Sequence, residues 1–208
     1  MNFSELKTQA KARLAGNWGV AIGGIVVIGL ITGLASSCGV SILITGPFAL
    51  GAAALFLNIV RGNEAKLDDV FEGFKDFGGT FILGLLQGLF IFLWSLLLII
   101  PGIVKSYSWA LAFYLKKDHP EMTWKEALDT SAKWMSGHKW ELFCLELSFI
   151  GWMLLAVLTC GLLMFWLSPY MAATRALYYE KLKEINEPSA PKETAAPTAD
   201  DILASLNL

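Results

Sequence analysis

The chain has 208 residues, of which 55% are hydrophobic and only 16% carry a charge. Soluble domains carry roughly 25% charged residues, so this composition excludes an ordinary soluble fold with a polar surface. The net charge of −2 gives no basic field that would attract nucleic acid, and we expect no nucleic-acid partner.

Apolar residues form four runs, at about 18–36, 40–60, 79–115 and 141–179. A helix needs about 20 residues to cross a bilayer, so the first two runs each predict one transmembrane helix. The last two runs are too long for a single crossing and predict two helices each. The sequence therefore predicts an all-α membrane protein whose six transmembrane helices form three hairpins.

Basic residues lie on one side of this arrangement. They precede the first predicted span, follow the second, separate the fourth from the fifth, and follow the sixth. The three turns on the opposite side, near 36–46, 94–101 and 159–168, carry no charge. Because cytoplasmic loops of membrane proteins are enriched in Lys and Arg, we expect a multi-pass protein of the cytoplasmic membrane with both termini in the cytoplasm.

Three polar segments on the predicted cytoplasmic side have apolar residues at helical spacing, with charged residues on another face. Their apolar positions are Phe3, Leu6, Ala10 and Leu14; Leu67, Val70, Phe71, Phe74 and Phe77; and Trp124, Ala127, Leu128, Ser131, Trp134 and Met135. Thr123 and Glu126 form a capping box at the start of the third segment. The pattern predicts three cytoplasmic amphipathic helices that lie at the membrane interface, pack on the inner ends of the bundle, or do both.

These features recur in a fixed order, which indicates an internal repeat. Each polar segment leads to a glycine and an aromatic residue, an apolar helix, an uncharged turn and a second apolar helix that contains a proline. The glycine and aromatic pairs are Gly16 and Trp18, Gly79 and Phe81, and Gly137 and Trp140; the prolines are Pro47, Pro101 and Pro169. Since proline in a helix interior removes a hydrogen bond and clashes with the preceding turn, each hairpin is expected to be kinked at its proline. For the middle hairpin, the alternative is that Pro101 and Gly102 form the outer turn themselves.

Residues 1–186 form the predicted membrane domain. Its glycine pairs at four-residue spacing predict close helix packing, within one bundle or between two copies in a homo-oligomer. These pairs are Gly19 and Gly23, Gly29 and Gly33, and Gly84 and Gly88. Residues 187–208 are rich in Pro, Ala and Glu and predict a disordered cytoplasmic tail. The last ten residues, 199–208, predict either a short amphipathic helix that binds a cytoplasmic partner protein or a frayed terminus.

Sequence motifs for catalysis or cofactor binding are absent. The three cysteines and two histidines do not have the spacing of metal ligands, so we expect no metal, no cofactor and no enzymatic activity. Three charged residues nevertheless lie inside the apolar runs, namely Lys105, Glu146 and Arg175. Charges inside a membrane are costly, and they mark functional sites unless they pair with each other.

Glu146 and Arg175 are expected to form such a pair. By the helical rise, each lies about 9 Å from the cytoplasmic end of its span, and the two spans are neighbours in one hairpin. Lys105 lies about 16 Å from Lys116, where the sequence places no carboxylate at the same depth. One interpretation makes Lys105, Ser106, Tyr107 and Ser108 a polar cavity beside the Pro101 kink that binds an anionic group such as a lipid phosphate. The other makes Pro101 and Gly102 the outer turn, so that Lys105 extends outward to the interface.

Several motifs occur in the order found in one bacterial membrane family. They are Gly46-Pro47, Asn58-Ile59-Val60-Arg61-Gly62, Val70-Phe71-Glu72-Gly73-Phe74, the stretch 98–108, Ser136-Gly137-His138-Lys139 and Leu167-Ser168-Pro169-Tyr170. Over roughly residues 1–185 the chain resembles the Firmicutes-type family of uncharacterised membrane proteins called domain of unknown function nine hundred and seventy-five. The resemblance implies a protein of the bacterial cytoplasmic membrane, and it implies no activity and no site residues.

Two classes of function follow from these observations. The cytoplasmic amphipathic surface and the tail favour a non-enzymatic membrane module that organises lipid or a partner protein. The kinked helices and the intramembrane charges favour a small transporter or lipid-handling protein with a site near Pro101. In either case the lipid bilayer is the expected partner.

Overall fold

A computed structural model describes residues 3–37, 41–97, 99–159 and 161–187, and these residues form helices and short connections. The helices are α1 (Phe3–Leu14), α2 (Trp18–Ser37), α3 (Ser41–Arg61), a 3₁₀ helix (Leu67–Phe74), α4 (Phe77–Leu97), α5 (Ile99–Ser108), α6 (Ala112–Asp118), α7 (Trp124–Trp134), α8 (Lys139–Leu147), α9 (Ile150–Leu158) and α10 (Met164–Asn186). Apart from Glu187, the predicted tail lies outside the described residues, so its disorder and its terminal helix stay predictions.

Four helical segments in the described ranges are long and apolar enough to cross a membrane. They are Trp18–Ser36, Ile42–Arg61, Phe77–Leu96 and Lys139–Leu158. The first three correspond to α2, α3 and α4, and the fourth joins α8 and α9. The fourth and sixth spans predicted from the sequence are not among these four segments. After α4 the helix is interrupted between α5 and α6, so neither piece is long enough to cross a membrane. The second half of α10 carries Arg175, Glu180 and Lys181, which lower its hydropathy.

Helix α3 is the centre of the fold and packs against α2, α4, α6, α10 and the 3₁₀ helix. Its buried side chains run from Phe48 to Val60. Glycines permit the closest approaches, because a Cβ atom on Gly51 would overlap the carbonyl group of Val70 and a Cβ on Gly73 would overlap that of Pro47. The 3₁₀ helix is therefore held directly against the backbone of α3.

The three amphipathic segments are helical and pack on the bundle. Helix α1 buries Leu6, Ala10 and Leu14, while the 3₁₀ helix leaves Phe71 and Phe74 partly exposed. Helix α7 buries Ala127, Leu128, Ser131 and Trp134. It begins with the predicted capping box, in which the backbone N–H of Thr123 donates to Glu126 Oε2 at 2.8 Å. The apolar faces of α1 and α7 thus contact the bundle, which is one of the arrangements expected from the sequence, whereas the 3₁₀ helix buries only Val70 of its predicted apolar positions.

The three prolines occupy different helical positions. Pro47 and Pro169 lie inside α3 and α10. Pro101 is the third residue of α5 and lies in its first turn. The backbone N–H groups of a first turn have no hydrogen-bond partner within the helix, so a proline there costs no hydrogen bond. Helices α4 and α5 pack against each other on either side of this junction. Pro101 is therefore not an internal kink, and the alternative that placed it at the outer turn is closer to the structure.

An ionic network joins the ends of α3, α6 and α10. Arg61 donates to both carboxylate oxygens of Asp118, at 2.8 and 2.6 Å, and to Glu180 Oε1 at 2.9 and 2.7 Å. Asp118 also accepts from Tyr179 Oη at 3.0 Å and pairs with Lys183. These three helix ends therefore lie at the same end of the bundle.

Candidate functional site

A cavity of about 660 Å³ lies between α4, α5, α8 and α10. We call it the groove. Its lining comprises Gln87, Ile91, Ser95, Gly102, Ile103, Ser106, Tyr107, Ala110, Phe143, Glu146 and Arg175. This volume is within the range of sites for small ligands, which combine apolar walls with a few polar groups that fix orientation.

Glu146 and Arg175 meet in the groove. Arg175 Nη2 lies 2.6 Å from Glu146 Oε1, and Tyr107 Oη donates to Glu146 Oε2 at 2.7 Å. The Glu146 side chain is 22% exposed, whereas the Arg175 side chain keeps 50% of its surface exposed. The structure thus brings together the two charged residues that were predicted to lie at the same depth in their helices. It adds the Tyr107 hydroxyl as a further hydrogen-bond partner of Glu146.

Gln87 is a further polar residue of the groove. It lies about 15 Å along α4 from Phe77 by the helical rise, well inside the apolar segment. Its Nε2 donates to the carbonyl oxygen of Trp109 at 3.2 Å, where the chain breaks between α5 and α6. Among the described residues, Gln87 Oε1 is buried without a hydrogen-bond partner. The sequence analysis considered only charged residues inside the apolar runs and therefore did not identify Gln87, although it is the one residue with an amide side chain in the run 79–115.

The predicted site around Lys105 is divided between two faces of α5. Ser106 and Tyr107 line the groove. Lys105 does not line it, because its Nζ lies 5.6 Å from the ring centre of Trp94 and 5.2 Å from that of Trp109. Such contacts are cation–π interactions.

Ser108 also points away from the groove. It is buried, its hydroxyl donates to the Val104 carbonyl at 2.8 Å, and its carbonyl accepts from Ser131 at 2.9 Å. Residues 105 and 108 share a helical face because they are three positions apart. Among the described residues that line the groove, the cation is Arg175, which was expected to be structural.

A protein family matches this chain over two ranges. Curated proteins and solved structures contain no match to this chain. The family described as "Protein of unknown function (DUF975)" matches residues 1–116 and, a second time, residues 96–186. Two matches within one chain are consistent with an internal repeat, and together they include every helix from α1 to α10. The description names no activity, so any function has to be argued from the groove. The chain belongs to the DUF975 family.

Proposed function

We propose that this protein is a non-enzymatic lipid-handling protein of the bacterial cytoplasmic membrane, which holds one phospholipid molecule in the groove. The headgroup phosphate contacts Arg175, and the acyl chains extend along the apolar surface of α5. The observation that carries the proposal is a half-exposed guanidinium, paired with the single carboxylate of Glu146, in a cavity whose other described lining groups are amide, hydroxyl and apolar.

The ionic network supports a six-span arrangement with both termini in the cytoplasm. If only the four candidate segments crossed the membrane, Arg61 and Asp118 would lie on opposite sides. Their contact at 2.6 Å instead requires the segment α5–α6 to return to the side on which α3 ends. Once α5–α6 has returned, α8 and α9 lead away from this side, and the pair Arg61–Glu180 at 2.7 Å then fits a return crossing by α10. The Lys and Arg bias makes this the cytoplasmic side.

The amphipathic segments then lie at the cytoplasmic interface. The 3₁₀ helix supports this placement, because Phe71 is 44% and Phe74 36% exposed next to the ion pair of Glu72 with Lys117. Partly exposed rings beside charged groups fit the headgroup region of a bilayer.

The chemistry of Arg175 favours a phosphate ligand. A guanidinium presents several N–H donors in a plane and binds phosphate through paired hydrogen bonds. The contact with Glu146 is made by Nη2, half of the side-chain surface stays exposed, and Arg175 is part of the groove lining. On α5, the exposed side chains of Ile100, Ile103 and Val104 continue the apolar surface from the groove toward lipid.

A non-enzymatic role is supported by the same lining. The described residues around the groove include neither histidine nor cysteine. The carboxylate of Glu146, which would be the base, already accepts from Tyr107 and pairs with Arg175. The hydroxyl next to this carboxylate is that of Tyr107, and the described lining holds no pair of a serine or cysteine with a histidine, which is the arrangement that covalent catalysis commonly uses.

A photoreactive phospholipid tests the proposal. The full-length protein is purified, reconstituted with a lipid that carries a diazirine near its headgroup, and irradiated, and labelled peptides are located by mass spectrometry. We expect labels on α5 and α8. The variant Ser106→Trp, which fills the groove, should abolish them. The variant Arg175→Gln should lower them about tenfold, as expected for loss of a charge-assisted contact of about 1.5 kcal/mol.

Gly88→Trp is the matched control, because a Cβ at this exposed position of α4 meets no atom within 4 Å. Equal loss of labelling in Gly88→Trp and Ser106→Trp would mean that the label reports annular lipid only, and would contradict the proposal. Loss in Lys105→Met but not in Arg175→Gln would favour the site expected from the sequence. Labelling confined to the 3₁₀ helix would favour the second candidate function, an interfacial module that organises lipid or a partner protein.

A further inference from the structure

We propose that Glu146 is an internal competitor of the lipid: an anionic headgroup displaces its carboxylate from Arg175, and Glu146 takes up one proton as the headgroup binds. The inference rests on the proposed lipid site and adds its regulation. In the exchange, the ion pair of Glu146 and Arg175 is replaced by an ion pair of phosphate and Arg175. The carboxylate gains a proton from solvent and becomes a neutral carboxyl group.

The first step of the argument is charge balance. The Glu146–Arg175 pair is neutral as a unit, so an added phosphate monoanion would leave the groove with one uncompensated negative charge. In surroundings of low polarity such a charge is unfavourable, which is why buried charges are paired or neutralised. One proton on Glu146 restores neutrality.

The second step is that the surrounding residues offer no other way to balance the charge. Helix α10 presents Arg175 to Glu146, and α5 presents the neutral hydroxyl of Tyr107. Helix α4 contributes Gln87 and Ser95, which carry no charge. On α5, Lys105 faces Trp94 and Trp109 instead of the groove.

Two further titratable groups near α8, Lys7 and Glu141, have their own partners. From α1, Lys7 Nζ donates to the Ser148 carbonyl at 3.2 Å and lies over the ring of Phe149. On α8 itself, Glu141 Oε2 lies 2.9 Å from His138 Nδ1. Among the described residues that line the groove, no second cation stands beside Arg175, so Glu146 is the group that compensates for an incoming anion.

The third step concerns Tyr107, which is a positioning residue. Its hydroxyl donates to Oε2, and Arg175 approaches Oε1, so the two carboxylate oxygens have different partners. When Arg175 turns to phosphate, Oε1 loses its partner while Oε2 keeps Tyr107. A proton on Oε1 can then donate to a phosphate oxygen, so that the neutral carboxyl group becomes part of the headgroup site.

The mechanism predicts a difference between two headgroups. Phosphatidylglycerol brings one net negative charge. Because one proton is taken up for each lipid bound, its binding should strengthen by up to about tenfold for each unit by which pH falls. Phosphatidylcholine brings its own cation, which can stay near an ionised Glu146. Its binding should therefore change little with pH.

The experiment measures competition by each of these lipids against the photoreactive lipid, from pH 8 to pH 5, with the full-length protein in detergent. In Glu146→Gln the neutral amide keeps a partner for Tyr107 and imitates the protonated state. Its phosphatidylglycerol affinity should equal or exceed that of wild type at pH 5 and should not depend on pH. Glu141→Gln, one turn away on the same helix, is the matched control and should keep the wild-type pH dependence.

A direct measurement does not depend on how well the variants fold. Wild-type protein in weakly buffered solution with a pH indicator should take up about one proton for each phosphatidylglycerol bound. Absence of uptake, together with an unchanged pH profile in Glu146→Gln, would refute the competitor role while leaving the lipid site intact. Unchanged binding in Arg175→Gln would refute both the lipid site and the inference.

Discussion

Asp118 receives contacts from two neighbouring helices at the predicted cytoplasmic end of the bundle, and its side chain is only 6% exposed. Arg61 approaches from α3, and Tyr179 and Lys183 approach from α10. Burial alone would raise the pKa of the Asp118 carboxyl, but the hydrogen bonds and charges of Arg61 and Lys183 outweigh it. They lower this pKa to about 2. The ionised form is therefore the one that the folded protein stabilises.

The pH dependence of unfolding follows from this shift. A carboxyl with a lowered folded pKa stabilises the fold above its unfolded pKa of about 3.9, and this contribution disappears as pH falls through the folded value. We expect the wild-type melting temperature in detergent to fall between pH 4 and pH 2. Asp118→Asn should be destabilised at pH 7 by about 3 kcal/mol, because Arg61 and Lys183 lose their buried partner.

Asp68→Asn is the control for this variant, because Asp68 is an exposed carboxylate on the 3₁₀ helix. It should change stability by less than about 0.5 kcal/mol and keep the wild-type profile. If Asp118→Asn melts with the same pH profile as wild type, the network does not stabilise the fold in this way.

At the residue scale, the depth of a residue along its helix is easier to predict from the sequence than the side of the helix on which its side chain lies. The common depth of Glu146 and Arg175 follows from counting residues in two neighbouring helices, and the structure places their charged atoms 2.6 Å apart. The side-chain direction of Lys105 depends on where α5 starts and how it packs against α4 and α7. The sequence carries no direct signal for either, so the neighbours Lys105 and Ser106 could not be assigned to different faces.

At the element scale, backbone contacts through glycine hold α3 in place. The sequence predicted close packing at glycine pairs with four-residue spacing. Gly84 does pack closely, because a Cβ atom built on it would lie 2.7 Å from the Cα atom of Gly46. Gly29 and Gly33, by contrast, meet no atom within 4 Å. Spacing identifies glycines that could share a face, but the neighbour that occupies the face is decided by tertiary packing.

Substitution of single glycines tests this distinction. Gly51→Ala should destabilise the protein by at least about 1–3 kcal/mol, because its methyl group would displace the 3₁₀ helix at Val70. Gly29→Ala is matched in chemistry and should be neutral or stabilising by about 0.5–1 kcal/mol, since alanine favours a helix. Melting temperatures of both variants in one detergent would decide the matter. Equal destabilisation would contradict the assigned packing.

The repeat is also an element-scale feature, and it is less regular than the sequence order implies. Gly16 and Gly137 have φ of 90° and 85°, and they follow α1 and α7, respectively. Gly79 lies instead within the first turn of α4, where its N–H donates to Asp76 Oδ1 at 3.1 Å. The middle unit thus starts its helix two residues before its glycine. Feature order predicted three units, but the capping role of Asp76 was not recognised.

At the scale of the whole molecule, cysteine labelling distinguishes six spans from four. The native cysteines are replaced by alanine, and single cysteines are placed at Leu162, Glu64 and Glu121. With six spans, Leu162→Cys should react with a membrane-impermeant maleimide in intact cells. Glu64→Cys and Glu121→Cys should react only after permeabilisation. With four spans, the results for positions 121 and 162 would be reversed, which would overturn the proposed topology.

The ionic network around Asp118 also has a consequence for the order in which the protein is made. Arg61 and Asp118 leave the ribosome before α10, and their opposite charges can neutralise each other once α6 packs against α3. Helix α10 then adds Glu180 and Lys183 together, again one charge of each sign. Within this network, the residues made before α10 therefore contribute one charge of each sign, and α10 contributes one more of each, so the network is balanced both before and after α10 joins it.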